Sequence, residues 1–155
     1  YSPLPRYAGF CPYMCSIFNA EKDFGVTLHY INNDIDTGDI IEQKIFPINV
    51  DETRSSLYEK SAKECYDLLV KNLPIIVENK ITGRKQELEE RKFYKRSLPY
   101  DGYLDLDWDS ELQTKFIRSI SFPGFPGPKI KINDKTYTLI EEDLPFFKPY
   151  KITSH

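Results

Sequence analysis

The alternation of apolar and polar positions predicts a strand, an acidic turn and a second strand between Phe24 and Phe46. Residues Phe24 to Ile31 are rich in β-branched and aromatic side chains, which favour a strand. Two short runs of Asn, Asp, Thr and Gly then indicate tight turns, and the strand pattern resumes from Ile40 to Phe46. The connection therefore brings four ionisable side chains close together, namely His29, Asp34, Asp36 and Asp39.

Helical spacing predicts two helices around this hairpin. Phe10 to Ala20 is expected to form a short helix with Pro12 in its first turn, where a missing N–H is tolerated. The second helix is predicted from Thr53 to about Leu73, and Pro74 is expected to end or kink it before a buried turn at Ile75 to Val77. One apolar stripe of this helix is expected to face the core and comprises Tyr58, Ala62, Cys65, Tyr66, Leu69 and Leu73.

The last third of the chain has its own pattern of elements. A helix that begins at Asp109 or Ser110 is predicted, and a loop rich in proline and glycine follows it. Lys129 to Ile132 and Lys135 to Ile140 alternate in period two on either side of Asn133-Asp134, and this pattern predicts a β-hairpin.

Charged residues of both signs fill the segment from Asn79 to Lys95, and Gly83 marks a turn within it. The signs are mixed too evenly for a patch that binds nucleic acid. We therefore expect a solvated bridge that leads from a first domain, residues 1–92, to a carboxyl-terminal extension, residues 93–155.

Composition limits the possible classes of function. A chain of 155 residues has the size of one domain with at most a small appendage, and its net charge of −3 argues against broad nucleic-acid binding. No apolar run reaches the roughly 18 residues of a membrane span, and no secretion signal is visible in the first residues. Three cysteines are an odd and sparse set that fits a reducing compartment, so we expect a cytoplasmic location and, with few companion ligands, no metal site.

The acidic turn alone permits several interpretations. Asp and Asn are ordinary turn residues, so a solvated structural turn is the simplest of them. A calcium loop does not fit, because Gly38 as the loop glycine would put Thr37 and Ile35 where acidic ligands belong. A carboxylate that is held in a fixed pose for chemistry is the third interpretation.

Two segments resemble the 10-formyltetrahydrofolate-dependent formyltransferases. GVTLHYINNDIDTGDII is similar to their G-V-T-x-H segment with its following D-x-G-x-I, and YSPLPRYAG is similar to their S-x-L-P-x-(Y/F)-x-G segment. The order and spacing of the two segments also fit, over about the first 80 residues. The resemblance implies an α/β fold: the carboxyl-terminal part of a Rossmann-like catalytic domain, followed by a small α+β extension with a β-hairpin.

The resemblance also implies roles for individual residues. Asp36 takes the place of the family's catalytic Asp in the D-x-G turn. The residues implied to contact the co-substrate N10-formyltetrahydrofolate are His29, Asn33, Asp34 and Ile35. The candidate contacts to the acceptor substrate are Arg6, Tyr7 and Trp108.

In the family, an Asn-x-His pair supplies two further catalytic groups and directly precedes the S-x-L-P segment. Aligned in this way, Tyr1 is the residue that follows the catalytic His. We therefore expect this chain to be the carboxyl-terminal portion of a longer enzyme and to be inactive alone.

The tail after Phe93 resembles the extension of sugar N-formyltransferases. The shared pattern is Y-x-K-R, then D-G-x-(I/L)-D, a helix containing I-R, P-x-x-P and a hairpin. It implies formyl transfer to the amino group of a nucleotide-linked amino sugar, usually for surface polysaccharide, and a possible homodimer contact through the tail. Trp108 would then stack on a sugar or base, or else pack in an aromatic cluster. The alternatives are formyl transfer to methionyl-tRNA or another amine, and a non-catalytic fragment that only dimerises or binds.

Overall fold

The computed structural model describes residues 1–140 and 151–154 of the chain. These residues form a mixed α/β arrangement with short 3₁₀ turns at Leu88–Glu90 and Pro99–Gly102, and none of their helices has the length and apolarity to cross a membrane. The helices and strands, in chain order, are β1 (Ala8–Gly9), α1 (Pro12–Phe18), β2 (Asp23–His29), β3 (Ile40–Pro47), α2 (Arg54–Val77), β4 (Phe93–Tyr94), α3 (Ser110–Ile120), β5 (Lys129–Ile132), β6 (Lys135–Ile140) and β7 (Lys151–Ser154).

The strand–turn–strand prediction is confirmed, since β2 and β3 form an antiparallel pair. The register shifts between Leu28 and His29, so the first strand ends at His29 and not at Ile31. Such a bulge disrupts the ladder locally and re-aims the side chain beside it. The chain therefore leaves the sheet at His29 and enters the acidic turn.

The predicted carboxyl-terminal elements are also present. Helix α3 begins at Ser110, and the carboxylate of Asp109 accepts a hydrogen bond from the Leu112 N–H as its amino-terminal cap. Strands β5 and β6 pair as the predicted hairpin, and β7 adds a third antiparallel strand to it. The two turn residues Asn133 and Asp134 both have positive φ, as a tight hairpin turn of this type requires.

Helix α1 contributes to two hydrophobic cores. Met14 packs in one of them and Ile17, three residues later, packs in the other. The first core is Met14, Leu104, Phe116, Ile120, Ile130 and Leu139. The second core is Ile17, Phe24, Val26, Phe46, Leu57 and Leu68. Because the tail shares its core with α1, the division of the chain at residue 92 stays a prediction.

Helix α2 differs from its prediction in length and orientation. It continues through Pro74 to Val77, and Ile75 and Val77 are exposed, so the predicted buried turn is wrong. The buried face includes the polar residues Ser61 and Asn72, whose side chains donate hydrogen bonds to backbone carbonyls one turn earlier. The apolar periodicity therefore indicated the wrong face, because satisfied polar groups occupy the buried one. The exposed members of the predicted stripe are Tyr58, Tyr66, Leu69 and Leu73.

The charged segment from 79 to 95 is not simply a solvated bridge. The Ala8 N–H donates to the Lys92 carbonyl at 3.0 Å and the Phe10 N–H donates to the Tyr94 carbonyl at 2.9 Å, so β4 pairs in parallel with β1. Earlier in the segment, Arg84 exchanges two backbone hydrogen bonds with Ile40, of 2.7 and 2.8 Å. These backbone contacts bring the segment against the acidic turn. Sequence analysis did not predict them, because backbone hydrogen bonds leave no pattern of side chains.

Candidate active site

Asp36 is held in the turn between β2 and β3 by a contact with β1. Its backbone has a φ of 56°, in the left-handed region that Asp tolerates better than most residues. Its Oδ2 accepts a hydrogen bond of 2.8 Å from the backbone N–H of Gly9. One carboxylate oxygen is therefore fixed to a strand, which leaves Oδ1 to face the adjoining cavity.

His29 lies across from this second oxygen. Its Nε2 is 4.0 Å from Asp36 Oδ1, which is too long for a direct hydrogen bond. Its Nδ1 is 2.8 Å from the Tyr30 carbonyl oxygen. Because a carbonyl only accepts, this contact assigns the hydrogen to Nδ1, so the neutral ring presents a lone pair at Nε2. A proton gained at Nε2 would put a positive charge opposite the carboxylate.

Both side chains line one cavity of about 210 Å³. The segment from Tyr1 to Gly9 and the segment from Thr27 to Asp36 provide most of its wall. The structure therefore brings together the two segments that carry the sequence resemblance, although they are distant along the chain. Its remaining lining residues are Pro12 and Tyr13 of α1.

The segment from Tyr1 to Gly9 forms one wall of this cavity, and hydrogen bonds to Thr27 and Gln43 hold it in place. The Thr27 hydroxyl donates to the Ser2 carbonyl at 2.8 Å and accepts from the Leu4 N–H at 3.2 Å. The Gln43 side chain donates to Thr27 Oγ1 at 2.8 Å and to the Leu4 carbonyl at 2.7 Å. Every hydrogen-bonding position of the hydroxyl is thus used, which fixes the chain from Ser2 to Leu4 on the hairpin.

The acidic turn is held from the other side by residues that sequence analysis missed. The buried side chain of Gln86 donates to the carbonyl oxygens of Asp36, at 3.1 Å, and Gly38, at 2.6 Å. Arg91 donates to the Ile35 carbonyl at 3.0 Å. In the sequence, Gln86 is distinguished only as an uncharged amide within a highly charged segment. This signal is too weak to predict that Gln86 binds the turn.

Gly38 allows the turn to close on itself. The Tyr30 N–H donates to the Asp39 carbonyl at 2.9 Å across the base of the turn. A Cβ atom at position 38 would lie 1.7 Å from the Tyr30 carbonyl oxygen, so no larger residue fits this backbone. The D-x-G spacing thus follows from a close approach of two backbone strands.

The predicted contacts to the folate lie outside this cavity, with the exception of His29. Asn33, Asp34 and Ile35 are exposed at the tip of the turn, and none of them lines the wall. Their role in binding the pterin ring stays a prediction.

The predicted acceptor contacts do not converge on Asp36. Arg6 is exposed and lines a separate cavity. Tyr7 is a buried residue whose hydroxyl donates to Glu21 at 2.7 Å and accepts from Asn19 at 3.1 Å, and its contact to the acceptor stays a prediction. Burial raises the pKa of the Tyr7 hydroxyl, which keeps it protonated.

Trp108 packs inside an aromatic cluster. Its ring centre is 4.7 Å from that of Tyr100 and 5.4 Å from that of Phe116. Of the two interpretations left open by the sequence, this packing is the observed one. In the described part of the chain, no group of three or more His, Cys, Asp or Glu side chains is arranged to hold a metal ion.

Comparisons with known proteins agree on one family. The profile of the family described as formyl transferase matches residues 1–73. The bifunctional polymyxin resistance protein ArnA of Wigglesworthia glossinidia brevipalpis is 31% identical over 94% of this chain and 22% of its own length. GDP-perosamine N-formyltransferase of Brucella abortus is 29% identical over 92% of this chain and 54% of its own length. Methionyl-tRNA formyltransferase of Lactobacillus gasseri is also 29% identical, over 89% of this chain and 43% of its own length.

A solved structure matches over most of the chain as well. It is the N-formyltransferase from Helicobacter canadensis in complex with folinic acid and dTDP-3-aminofucose, with 31% identity and a TM-score of 0.71. The match covers 93% of this chain and 54% of that protein. This chain therefore spans from about a fifth to about half of the length of these relatives, between 22% and 54%.

Proposed function

Because the chain belongs to the formyl transferase family, we propose that it takes part in transferring a formyl group from N10-formyltetrahydrofolate to an amine, with Asp36 as its catalytic carboxylate. One observation carries the proposal. Asp36 is anchored through one oxygen by the Gly9 N–H and faces His29 with the other, inside the cavity that the two family-like segments enclose.

The chemistry requires that the attacking amine lose a proton and that the folate nitrogen gain one. Oδ1 of Asp36 is the oxygen free to accept the amine's proton, because Oδ2 is occupied by the Gly9 N–H. His29 presents Nε2 to the same gap, and its protonated form stabilises the carboxylate by charge. The family resemblance assigns the donors that stabilise the oxyanion to the Asn-x-His pair, outside residues 1–155.

The acceptor that we propose is a nucleotide-linked amino sugar. Support comes from the GDP-perosamine N-formyltransferase and from the Helicobacter canadensis enzyme, whose structure contains dTDP-3-aminofucose. The match to a methionyl-tRNA formyltransferase makes tRNA the second candidate. The net charge of −3 favours the sugar, since a protein that grips a polyanion gains from an excess of positive charge.

The proposal is tested by tetrahydrofolate release from 10-formyltetrahydrofolate, with a dTDP-linked amino sugar or methionyl-tRNA as acceptor. The chain alone and a fusion of the chain to the amino-terminal segment of the Helicobacter canadensis N-formyltransferase are assayed side by side, and we expect only the second to turn over. In the active sample, Asp36→Asn should lower the rate at least about 100-fold, within the range for loss of a general base. Asp23→Asn, at an exposed carboxylate on β2, is the matched control. A wild-type rate in Asp36→Asn would overturn the catalytic assignment, and turnover with methionyl-tRNA alone would replace the acceptor.

We also propose a cytoplasmic location and a homodimer contact through residues 93–155. The location is supported by Cys11, Cys15 and Cys65, which are all free thiols. The dimer is supported by the resemblance of the tail to sugar N-formyltransferase extensions. Sedimentation at micromolar concentration tests it, and a monomer there would contradict it.

A further inference from the structure

Helix α2 carries a second apolar face that lies open to solvent. Its members recur every three or four residues, which puts them on one side of the helix. Tyr66 is 67% exposed, Leu69 44%, Leu73 48% and Val77 77%. We call this stripe the open face of α2, and it consists of Tyr58, Ala62, Tyr66, Leu69, Val70, Leu73 and Val77.

The open face is not the side by which α2 packs in this fold. Leu57 and Leu68 are buried in the core that includes residues of β2 and β3. Neighbouring helical residues point about 100° apart, so Leu69 turns away from the core that Leu68 enters. A helix with apolar side chains around most of its circumference is typical of an enclosed position. Only one of the two apolar sides of α2 is enclosed by the described residues.

The open face has the shape and composition of a protein interface. From Tyr58 to Val77 it is about 28 Å long, at about 1.5 Å per residue. Two exposed charged residues, Lys63 and Asp67, flank it along one edge. Single exposed apolar residues are ordinary, but a continuous apolar patch with a polar rim is typical of a surface that binds another polypeptide.

One end of the open face lies beside the cavity that contains Asp36. The ring centre of Tyr58 is 6.1 Å from that of Tyr1 and 5.6 Å from that of Tyr13. Tyr1 and Tyr13 both line the Asp36 cavity. A polypeptide that closes this cavity at Tyr1 would therefore lie against the open face of α2.

The occupant must supply more than an apolar surface. The family profile spans residues 1–73, so most of the open face lies in the catalytic domain. The Brucella abortus and Helicobacter canadensis enzymes are each matched over only 54% of their length, so both contain much further polypeptide. A second copy of this chain would cover the open face, but it would bring no Asn-x-His pair to the cavity, since residues 1–155 contain none.

We propose that the open face of α2 is the docking surface for an amino-terminal half of a formyl transferase catalytic domain, and that the two parts associate without a peptide bond between them. The identity of the partner rests on the proposed function, whereas the surface rests on the exposed side chains of α2. Leu69 and Leu73 lie near its centre, where interface contacts contribute most.

A fusion with a cleavable linker tests this proposal. The amino-terminal segment of the Helicobacter canadensis N-formyltransferase is fused to the chain, the linker is cut, and sedimentation shows whether the two pieces stay together. We expect them to stay together. Leu69→Lys and Leu73→Lys should each weaken the association at least about 30-fold, the effect of losing one interface hot spot. Leu106→Lys, at an exposed leucine of the tail, is the matched control and should leave the association unchanged.

The chain alone provides a second measurement, which does not need the fusion to fold. Because Leu69 is exposed, Leu69→Lys should leave the Tm of the isolated chain nearly unchanged and lower its binding of the apolar dye ANS. A lower Tm with unchanged dye binding would overturn the proposal, because the face would then be covered within this chain. A dimer of the isolated chain that Leu69→Lys dissociates would also overturn it and make a second copy the occupant.

Separation of the two wild-type pieces after cleavage, or their equal association in Leu69→Lys, would contradict the docking surface. Neither readout depends on turnover. If Asp36→Asn keeps full activity in the fusion while Leu69→Lys separates the pieces, the function is wrong and the docking surface stands. If Asp36→Asn abolishes turnover while Leu69→Lys leaves the pieces together, the function stands and the docking surface is wrong.

Discussion

Gln86 and Asp36 are joined by a hydrogen bond of 3.1 Å, from the Gln86 side-chain amide to the Asp36 backbone carbonyl, although fifty residues separate them. The same amide donates to the Gly38 carbonyl. A single buried side chain therefore binds two carbonyls of the turn from which the Asp36 carboxylate projects. The segment once expected to be a solvated bridge thus has a direct part in shaping the site.

Replacement of Gln86 by Glu should impair the site more than the fold. The carboxylate has the shape of the amide but lacks its donors, so the two carbonyls of the turn lose their partner at a cost of about 1–3 kcal/mol each. In the sample that turns over, we expect a fall in kcat with a smaller change in the KM of the acceptor, measured with saturating folate, and a drop in Tm of at least several degrees. Lys85→Gln, at the exposed neighbouring position, is the control. Unchanged kcat in Gln86→Glu would show that the turn keeps its shape without these bonds.

Gly38→Ala should be severely destabilising. The added Cβ would meet the Tyr30 carbonyl oxygen at 1.7 Å, which only a backbone shift can relieve, so we expect a loss of about 3 kcal/mol or more. Gly124→Ala is the matched comparison, because no described residue other than its chain neighbours lies within 4 Å of the added Cβ and its φ of 80° is the unfavourable feature. That variant should lose about 1–2 kcal/mol. Denaturant unfolding measures both, and equal losses would refute the steric argument.

Phe116→Ala should lower stability and alter the fluorescence of Trp108. Phe116 is completely buried in the core shared by α1 and α3, and loss of such a ring costs about 3–5 kcal/mol. Trp108 is the single tryptophan and its ring centre lies 5.4 Å from that of Phe116, so its emission should shift to longer wavelength. Leu106→Ala, at an exposed position, should change neither property. A native emission maximum in Phe116→Ala would contradict the cluster.

Stability should fall as the pH rises above 9, in part through Cys15. Burial raises the pKa of the Cys15 thiol from 9.0 to about 11. The unfolded chain therefore loses this proton first, and the contribution present below pH 9 is lost as the pH rises towards 11. Measured between pH 8.5 and 9.5, where unfolded tyrosines with a pKa of about 10 are mostly still protonated, the slope of the unfolding free energy against pH should be shallower in Cys15→Ala. Identical slopes in the two proteins would assign the loss to other groups.

The sequence was sufficient for features that depend on local patterns. The hairpin of β2 and β3 follows from alternation and turn residues, and α3 follows from a capping Asp109 and helical spacing. The proximity of Asp36 and His29 follows from the single β2–β3 connection that carries both residues, whereas the role of Asp36 came from the family resemblance.

What could not be predicted depends on contacts between distant backbone groups. Gln86 and Arg91 bind carbonyl oxygens, which every residue carries, so no complementary pattern marks them in the sequence. The buried face of α2 was misjudged because Ser61 and Asn72 are satisfied there by hydrogen bonds and Leu69 is left exposed. The contacts of the Tyr7 hydroxyl with Asn19 and Glu21 likewise join distant segments and leave no pattern in the sequence.

Helix α1 has only seven residues, yet Met14 fills one core and Ile17 the other. A chimaera that exchanges the tail between relatives would therefore face a mismatched Met14 surface if its breakpoint lay near residue 92. The segment to exchange should therefore include α1 together with the tail. Ile17 of the exchanged α1 must then still pack against β2 and β3 of the recipient protein. The residues of α1 therefore limit which hairpins and tails can be combined in one folded protein, because α1 packs against both.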